Sequence, residues 1–136
     1  MPTFSQVTPR LPVRDLQRTI QFYGQNFGFT VAVLWPTQDP TFAILRQDGT
    51  SLGFFEPTEH QPGPIGYVEL YIEVSGSKAL HDALKDTMVI EWGPEVYSYG
   101  RREFACRDPD GYLVIFTEPT DAPPTTSEPG DAGAAS

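Results

Sequence analysis

Apolar and polar residues alternate in several short runs of the chain, and one longer run has the spacing of a helix. In the first half, an alternating run near residues 7–13 predicts a strand, and Asp15 follows as a helix N-cap. The next segment, LQRTIQFYGQNF, predicts a helix that ends at Gly28. Its apolar face comprises Leu16, Ile20, Tyr23 and Phe27. Strands are predicted near residues 29–35, 41–47 and 51–56, with an Asp48–Gly49 turn between the last two.

The second half repeats this order of elements. An alternating strand at 67–74 precedes a helix for which Ser77 is the predicted N-cap. The apolar positions of this helix are Ala79, Leu80, Ala83 and Leu84. Strands are predicted near residues 88–91, 102–107 and 112–117. Each half therefore predicts a β-α-β-β-β unit, and the proline- and glycine-containing residues 58–65 predict the linker between them.

An internal sequence repeat supports this division. The stretch ILRQDGTSLGFFEP, residues 44–57, returns as ACRDPDGYLVIFTEP, residues 105–119. Arg46 matches Arg107 at an offset of 61, and the Glu-Pro pairs that start at Glu56 and Glu118 match at 62. The segment Asp108-Pro109-Asp110-Gly111 lies between two predicted strands and has turn chemistry, so we interpret it as a turn and not as an acidic metal cluster.

The length and the composition indicate one globular domain with a C-terminal tail. The chain has 136 residues, and we expect the domain at 1–119, in units of about 4–57 and 66–119. Residues 120–136 are rich in Pro, Ser, Thr, Gly and Ala and predict a disordered tail. The formal net charge is −9, of which the tail contributes −3, so the body keeps −6. This charge argues against a nucleic-acid or anionic membrane partner and favours a cationic small molecule.

Other sequence features exclude several kinds of site and location. Cys106 is the only cysteine, so an intramolecular disulfide and a thiolate metal cage are excluded. Because it lies in the middle of a predicted strand, we expect a buried structural thiol. The N-terminus lacks a secretory signal pattern, and no apolar run is long enough to span a membrane. We therefore expect a cytoplasmic protein.

The tandem units and their motifs resemble the vicinal oxygen chelate superfamily, which includes glyoxalases, dioxygenases and bleomycin-resistance proteins. The resemblance covers residues 4–119. The segments PRLPVRDLQRTIQFYGQNFGF and YGRREFACRDPDGYLVIF are most similar to the bleomycin-resistance branch. The resemblance implies an α+β fold with eight strands in curved mixed sheets, with the helices outside. It also implies a homodimer.

The positions that hold the metal in catalytic members of this superfamily lack metal donors here. By the strand matches, these positions are Thr8, Gly53, Glu69 and Ile115. A transition-metal site needs three or four converging donors, and Glu69 supplies one. His60 lies in the predicted linker and His81 in the second predicted helix. We therefore expect no metal, no other cofactor and no catalytic residues.

The strand that contains Glu69 places this residue on the same face as Tyr71. Alternation puts Glu69, Tyr71 and Glu73 on one face and Leu70, Ile72 and Val74 on the other. We expect the first face to line a ligand groove, together with Leu113, Ile115 and Thr117 of the last strand. The candidate ligand-binding residues are Glu69, Tyr71, Trp35, Trp92, Tyr97, Tyr99, Arg10 and Arg102. Trp35, Trp92, Tyr97 and Tyr99 lie in loop-like stretches flanked by Pro or Gly. The resemblance implies that such aromatic residues stack on planar groups of a drug.

Alternative roles remain open for these residues. Glu69 can be a solvated strand residue, and the aromatic residues can be dimer contacts or partly buried. Arg10 and Arg102 can bind an anionic ligand or form internal ion pairs. The leading hypothesis is metal-independent sequestration of a small molecule, such as a cationic, planar-ringed antibiotic of the bleomycin type. The alternatives are an enzyme of the same superfamily, that is a lyase, isomerase or dioxygenase with a metal or an acid–base pair, and an interaction module.

Overall fold

The computed structural model describes residues 1–58 and 67–126. The chain divides into two compact units, Met1–Gly66 and Tyr67–Ser136. Each unit has one helix and one mixed four-stranded sheet, so the predicted α+β class and the repeated β-α-β-β-β order are confirmed. The predicted linker, 58–65, lies outside the described residues except for its first position. Neither of the two described helices is long and apolar enough to cross a membrane.

Unit 1 contains the first four strands and the longer helix. Its elements are β1 (Arg10–Pro12), α1 (Leu16–Phe27), β2 (Thr30–Trp35), β3 (Phe42–Gln47) and β4 (Thr50–Phe55). The strand order is β1-β4-β3-β2, in which β1 and β4 are parallel and the other pairs are antiparallel. The α1 helix packs against β3 and β4. Tyr23 of α1 contacts Phe54 of β4 with a ring-centroid distance of 5.0 Å.

Unit 2 has the same arrangement. Its elements are β5 (Glu69–Glu73), α2 (Ser77–Leu84), β6 (Trp92–Tyr97), β7 (Arg101–Arg107) and β8 (Leu113–Pro119). The strand order is β5-β8-β7-β6, with β5 and β8 parallel. On the face that packs against α2, the rings of Phe104 and Phe116 lie 5.2 Å apart, and His81 of the helix contacts Phe104. We call this the helix face of the unit 2 sheet and the opposite side its open face.

The predicted alternation of β5 is confirmed. Leu70 and Ile72 are buried on the helix face, whereas Glu69, Tyr71 and Glu73 are exposed on the open face. Cys106 lies on the helix face and is buried, as expected. Burial raises the pKa of its thiol to about 12, with a smaller contribution from Asp108, so the thiol is protonated and inert at neutral pH.

The repeated Glu-Pro motif has a structural function in both units. Glu56 Oε2 accepts a hydrogen bond from the backbone N–H of Leu16 at 2.8 Å, at the start of α1. Glu118 accepts from the N–H groups of Gly76 and Ser77 at 2.8 and 2.9 Å and from the Ser77 hydroxyl at 2.7 Å. In each unit a carboxylate at the end of the last strand, or directly after it, thus accepts hydrogen bonds from free N–H groups that begin the helix.

The helix boundaries agree with the local sequence signals in α1 and less well in α2. Asp15 Oδ1 accepts from the N–H of Arg18 at 3.1 Å, and Gly28 ends α1 with a left-handed φ of 79°. Ser77 was expected to cap α2, but Gly76 is the N-cap, because Glu118 satisfies the N–H groups there. The apolar faces predicted for α1 and α2 also differ from the buried faces observed. Thr19 is buried in place of half-buried Ile20, and Ala79 and Ala83 are exposed.

The prediction of a strand near 88–91 is wrong, because the strand is β6, Trp92–Tyr97. Pro94 suggests a loop in the sequence, but β6 is an edge strand, where a missing N–H is tolerated, and its register shifts between Trp92 and Glu95. Gly93 is required at this bulge, because a Cβ there would lie 2.5 Å from the carbonyl oxygen of Glu103. The expected loop positions of Trp92 and Tyr97, and of Trp35 on β2, are corrected to strand positions.

Both predicted turns are confirmed. Asp48 and Gly49 connect β3 and β4. Asp108 Oδ1 accepts from the N–H groups of Asp110 and Tyr112 at 2.9 and 3.0 Å, which closes the turn between β7 and β8. Of the predicted tail, residues 120–126 are described and include hydrogen bonds from Thr125 to β6, whereas 127–136 lie outside the described residues.

The carboxylate cap on α2 makes stability depend on pH. The hydroxyl of Ser77 and the N–H groups of Gly76 and Ser77 hold the pKa of Glu118 below its usual range. This stabilisation is present above the pKa of an unfolded glutamate and is lost as pH falls through the lower folded value. We expect Glu118→Gln to lower the free energy of unfolding by about 1 kcal/mol at pH 7, with a smaller difference at acidic pH.

Denaturant titrations of the two proteins at several pH values measure this difference. Asp121→Asn is the control, because it removes an exposed carboxylate that does not cap α2. An equal loss in both variants, or a difference that does not change with pH, would contradict the capping role of Glu118.

Candidate functional site

The open face of the unit 2 sheet combines aromatic and carboxylate side chains. Strand register places its residues in three rows across the sheet. One row contains Glu69, Leu113 and Arg107; the next contains Tyr71, Ile115, Ala105 and Trp92; the third contains Glu73, Thr117, Glu103 and Glu95. Tyr97 and Arg101 are paired at the next position of the same face. Tyr99 lies in the turn between β6 and β7.

Glu103 is the buried carboxylate at the centre of this face. Glu103 is only 3% exposed. Its carboxylate accepts three hydrogen bonds from hydroxyl groups. Tyr99 donates to Oε1 at 2.8 Å, Thr117 donates to Oε2 at 2.8 Å, and Tyr71 also donates to Oε2. A buried carboxylate is costly unless such donors replace its water shell. These three bonds therefore fix the side chains of Tyr71, Tyr99 and Thr117 around one acceptor.

The environment keeps both tyrosines protonated. Burial raises the pKa of Tyr71, and its hydrogen bond to Glu103 raises it further. Burial, followed by the hydrogen bond to Glu103, likewise raises the pKa of Tyr99 well above that of a free phenol. Each phenol therefore keeps the proton that it donates to Glu103 across the neutral pH range. The contact with Glu103 is lost only as pH rises above the ordinary range of tyrosine.

The aromatic side chains form a stack beside Glu103. The rings of Tyr97 and Tyr99 are parallel, with an interplanar angle of 1° and a centroid distance of 5.4 Å. Trp92 meets Tyr97 edge to face at 6.4 Å. Tyr97 is 1% exposed, whereas Tyr99 is 49% exposed and Tyr71 is 54% exposed. The stack thus rests on a buried ring and presents an outer ring to solvent.

Carboxylates outnumber cationic side chains on this face. Glu69 is exposed and accepts a hydrogen bond from the hydroxyl of Tyr67. Arg101 pairs with Glu73 at 3.0 Å and donates to Thr117 at 3.3 Å, which ties it to the side chains around Glu103. At the other end of the sheet, Arg107 pairs with Glu91 at 3.1 Å. Within residues 67–126, no cationic side chain forms an ion pair with Glu69, which lies one row from Tyr71.

The structure places the predicted ligand residues in three locations. The open face of unit 2 brings together Tyr71, Trp92, Tyr97 and Tyr99, with Glu69 at the end of the same face. In unit 1, the guanidinium of Arg10 lies 4.4 Å from the ring centroid of Phe42, and Trp35 is paired with Phe42 in the register of β2 and β3.

Arg102 lies on the helix face of unit 2. It is paired across β7 and β8 with Glu118, the carboxylate that caps α2, and its charge contributes to the lowered pKa of that carboxylate. The neighbouring Arg101 lies on the open face instead. Ligand binding by Arg102 stays a prediction.

Glu103 and Arg101 belong to the site and were missed among the sequence candidates. The signal was present in the alternation of β7, where the apolar residues Phe104 and Cys106 mark the helix face. Alternation then puts Arg101, Glu103 and Ala105 on the open face. Thr117, expected to line the groove, donates to Glu103 and is fully buried.

The positions that carry the superfamily's metal do not fit a metal ion in this chain. Ile115 is buried in an apolar cluster with Ala105 and Leu113, on which Trp92 packs. Gly53 has no side chain, and a Cβ there would lie 3.2 Å from the side chain of Arg10. Within 1–58 and 67–126, no three His, Cys, Asp or Glu side chains come together as a metal site.

The shared carboxylate makes a testable prediction about the tyrosines. Glu103→Gln removes the negative charge and one of the two acceptor oxygens that, in addition to burial, raise the pKa values of Tyr71 and Tyr99. We expect both phenols to titrate at lower pH in this variant, as measured by the phenolate absorbance in single Tyr→Phe backgrounds. Glu69→Gln is the control, because it lowers only the pKa of Tyr67. An unchanged titration of Tyr71 and Tyr99 would contradict the role of Glu103.

Comparison with known proteins identifies the family. The family model described as "Glyoxalase/Bleomycin resistance protein/Dioxygenase superfamily" matches residues 3–116. A bleomycin resistance protein from Geobacillus stearothermophilus is 25% identical over 128 residues, which cover 82% of this chain and 94% of that protein.

Solved structures show the same fold. An antibiotic-binding protein from a Streptomyces species has a TM-score of 0.72 at 22% identity, covering 88% of this chain and 100% of that chain. A bleomycin-binding protein complexed with bleomycin has a TM-score of 0.65 at 23% identity, covering 85% and 98%. Together with the match over residues 3–116, the tandem β-α-β-β-β units assign this chain to the glyoxalase, bleomycin resistance protein and dioxygenase superfamily.

Proposed function

We propose that this protein binds an antibiotic-like small molecule with a planar ring on the open face of the unit 2 sheet, without chemical conversion. The observation that carries the proposal is the pair of half-exposed rings, Tyr71 and Tyr99, held by the same buried carboxylate of Glu103. A flat ligand ring can stack on such side chains with little further loss of side-chain freedom.

The fixed positions of these rings favour binding over a purely structural role. A tyrosine that is free to rotate loses conformational entropy when a ligand immobilises it, and this loss weakens binding. Here the hydroxyl of each ring is already bonded to Glu103, and the ring of Tyr99 also stacks on Tyr97. The site is therefore organised before a ligand arrives, which is the usual property of small-molecule sites.

The charges on the open face favour a cationic ligand. Glu69 is exposed beside the aromatic row, and the body of the chain carries a net charge of −6. A negative field attracts cations, and a carboxylate can pair directly with an ammonium or guanidinium group on the ligand. The relatives described as bleomycin resistance protein and as a bleomycin-binding protein support bleomycin as the first compound to test.

The metal-dependent alternative receives less support from the side chains present. Glu69 is the one strong donor among the four superfamily positions, and Ile115 fills one of the others with a buried aliphatic group. Homodimer formation and a cytoplasmic location, expected from the sequence, stay predictions. Analytical ultracentrifugation of the purified protein tests the dimer directly.

Two substitutions separate the electrostatic and the aromatic contributions to binding. Glu69→Gln keeps the shape of the side chain and removes its charge, so we expect bleomycin to bind more weakly by about 1 to 3 kcal/mol. Tyr99→Ala removes the outer ring of the stack, and we expect a similar loss that depends little on salt. Isothermal titration calorimetry with bleomycin at two salt concentrations measures both effects.

Matched controls accompany these variants. Asp82→Asn removes an exposed carboxylate on α2, which packs on the helix face, and Tyr99→Phe keeps the ring but not its hydroxyl. We expect nearly normal affinity in Asp82→Asn and a smaller loss in Tyr99→Phe than in Tyr99→Ala. Tight binding that neither Glu69→Gln nor Tyr99→Ala changes would place the ligand elsewhere, and no binding of bleomycin or other cationic aromatic compounds would contradict the proposal.

The metal content of the purified protein provides an independent test. Because the superfamily positions supply one strong donor, we expect no stoichiometric divalent transition metal in protein prepared without chelators. Elemental analysis by mass spectrometry measures the content. One metal ion per chain, lost in Glu69→Ala, would contradict this expectation and would support the enzyme alternative.

A further inference from the structure

The segment that follows β8 folds back along an edge of its own sheet. The N–H of Thr125 donates to the carbonyl oxygen of Val96 at 2.8 Å, and the N–H of Val96 donates to Thr125 Oγ1 at 2.7 Å. The Thr125 hydroxyl in turn donates to Glu95 Oε2 at 2.5 Å. We call residues 120–126 the strap.

The strap pairs with backbone groups that a sheet edge leaves open. Val96 belongs to β6, the edge strand of the unit 2 sheet, and edge strands present N–H and C=O groups without a neighbouring strand. Thr125 satisfies both groups of Val96, one through its backbone and the other through its hydroxyl. Thr125 therefore makes the two hydrogen bonds that a residue of a neighbouring strand would make with Val96.

Unit 1 provides an internal comparison. Its edge strand, β2, is exposed at all six positions, and Leu34 and Trp35 are 40% and 65% exposed. At the end of β6, Val96 and Tyr97 are 5% and 1% exposed. The end of β6 that contacts the strap is thus buried, whereas β2 is exposed throughout, although both strands occupy the same place in their units.

The strap also reaches the turn that bears Tyr99. The N–H of Thr120 donates to the carbonyl oxygen of Gly100 at 3.0 Å, and the N–H of Gly100 donates to that of Tyr97 at 3.0 Å. Strap bonds therefore lie on both sides of Tyr99, at Val96 and at Gly100. The turn is held at its two ends while its tip presents the ring that stacks on Tyr97.

We propose that Thr125 is a positioning residue for the ligand site. Its hydroxyl oxygen accepts the hydrogen bond of the Val96 N–H and so holds the Tyr97–Tyr99 stack in the geometry that binds the ligand. This inference rests on the proposed function, because it assigns an effect on ligand affinity to a residue at the sheet edge. Fixing the peptide groups on either side of the turn removes motion that the ligand would otherwise have to suppress. The strap is then part of the folded domain that forms the ligand site, even though its composition predicts a disordered tail.

The test uses two substitutions at the same position in the full chain. Thr125→Val keeps the size of the side chain and removes the acceptor of the Val96 N–H, whereas Thr125→Ser keeps the hydroxyl. In Thr125→Val we expect amide hydrogen exchange at Val96, measured by NMR, to be about tenfold faster, because one hydrogen bond is lost. Bleomycin should bind severalfold more weakly, and Thr125→Ser should restore both values.

Two truncations test the strap as a whole. Removing residues 127–136 leaves the strap, so we expect exchange at Val96, the near-ultraviolet circular dichroism of the tyrosines and bleomycin affinity to stay as in the full chain. Removing residues 121–136 eliminates Thr125. We expect this shorter chain to show at least the changes of Thr125→Val.

The measurements distinguish failure of this inference from failure of the proposed function. Exchange at Val96 that is unchanged in Thr125→Val and in the chain without residues 121–136 would overturn the inference. Faster exchange with unchanged bleomycin affinity would also overturn it, because the hydrogen bond between Thr125 and Val96 would then have no effect on the Tyr97–Tyr99 stack. If the full chain does not bind bleomycin, the proposed function fails, and the exchange rate and the tyrosine dichroism still decide whether Thr125 holds the stack.

Discussion

The candidate site depends on the negative charge of Glu103, which is buried among the side chains on the open face of the unit 2 sheet. A carboxylate that is removed from water must receive hydrogen bonds, and here three hydroxyl groups provide them. Two of these hydroxyls belong to rings that reach solvent, so satisfying the charge also fixes the surface that a ligand would meet. Burial, together with the hydrogen bonds to Glu103, raises the pKa of both phenols, and the pairing of Arg101 with Glu73 and Thr117 surrounds the carboxylate with ordered groups. The surface proposed for ligand binding therefore depends on this small set of bonds.

The two units share a scaffold and differ on their open faces. In both units the carboxylate of a Glu-Pro pair, at the end of the last strand or directly after it, accepts from N–H groups at the start of the helix, so this repeat preserves the fold. On the open faces, Arg10 and Gly53 of unit 1 are paired in the register in which unit 2 pairs Tyr71 and Ile115. Unit 1 has a guanidinium over Phe42, whereas unit 2 has a carboxylate among tyrosines. The residues that repeat in both units therefore stabilise the fold, and the residues that differ between the units form the candidate ligand site.

Local sequence signals predicted the elements that depend on local chemistry. Asp15 and Gly28 define α1 because a cap and a left-handed glycine act within a few residues of the helix. The sequence was less informative where a neighbour along the sheet decides the outcome. Pro94 suggests a loop, yet the edge position of β6 accommodates it in a strand. Ser77 suggests a cap, yet a carboxylate more than forty residues away takes that role. The alternation of β7 places Glu103 on the open face, but its hydrogen-bond partners lie on other elements and could not be predicted. The contact of Thr125 with Val96 was missed for the same reason, since Thr125 lies beyond the last strand.

Chemical-shift mapping tests most directly whether a planar ligand contacts the open face of unit 2. Bleomycin would be titrated into the protein with isotopically labelled aromatic side chains, and the ring signals of both sheet faces would be followed by NMR. We expect the signals of Tyr71, Trp92 and Tyr99 to shift with saturation, whereas those of Phe104 and Phe116 on the helix face change little. Saturable shifts confined to the helix face or to unit 1, with Tyr71 and Tyr99 unmoved, would contradict the account.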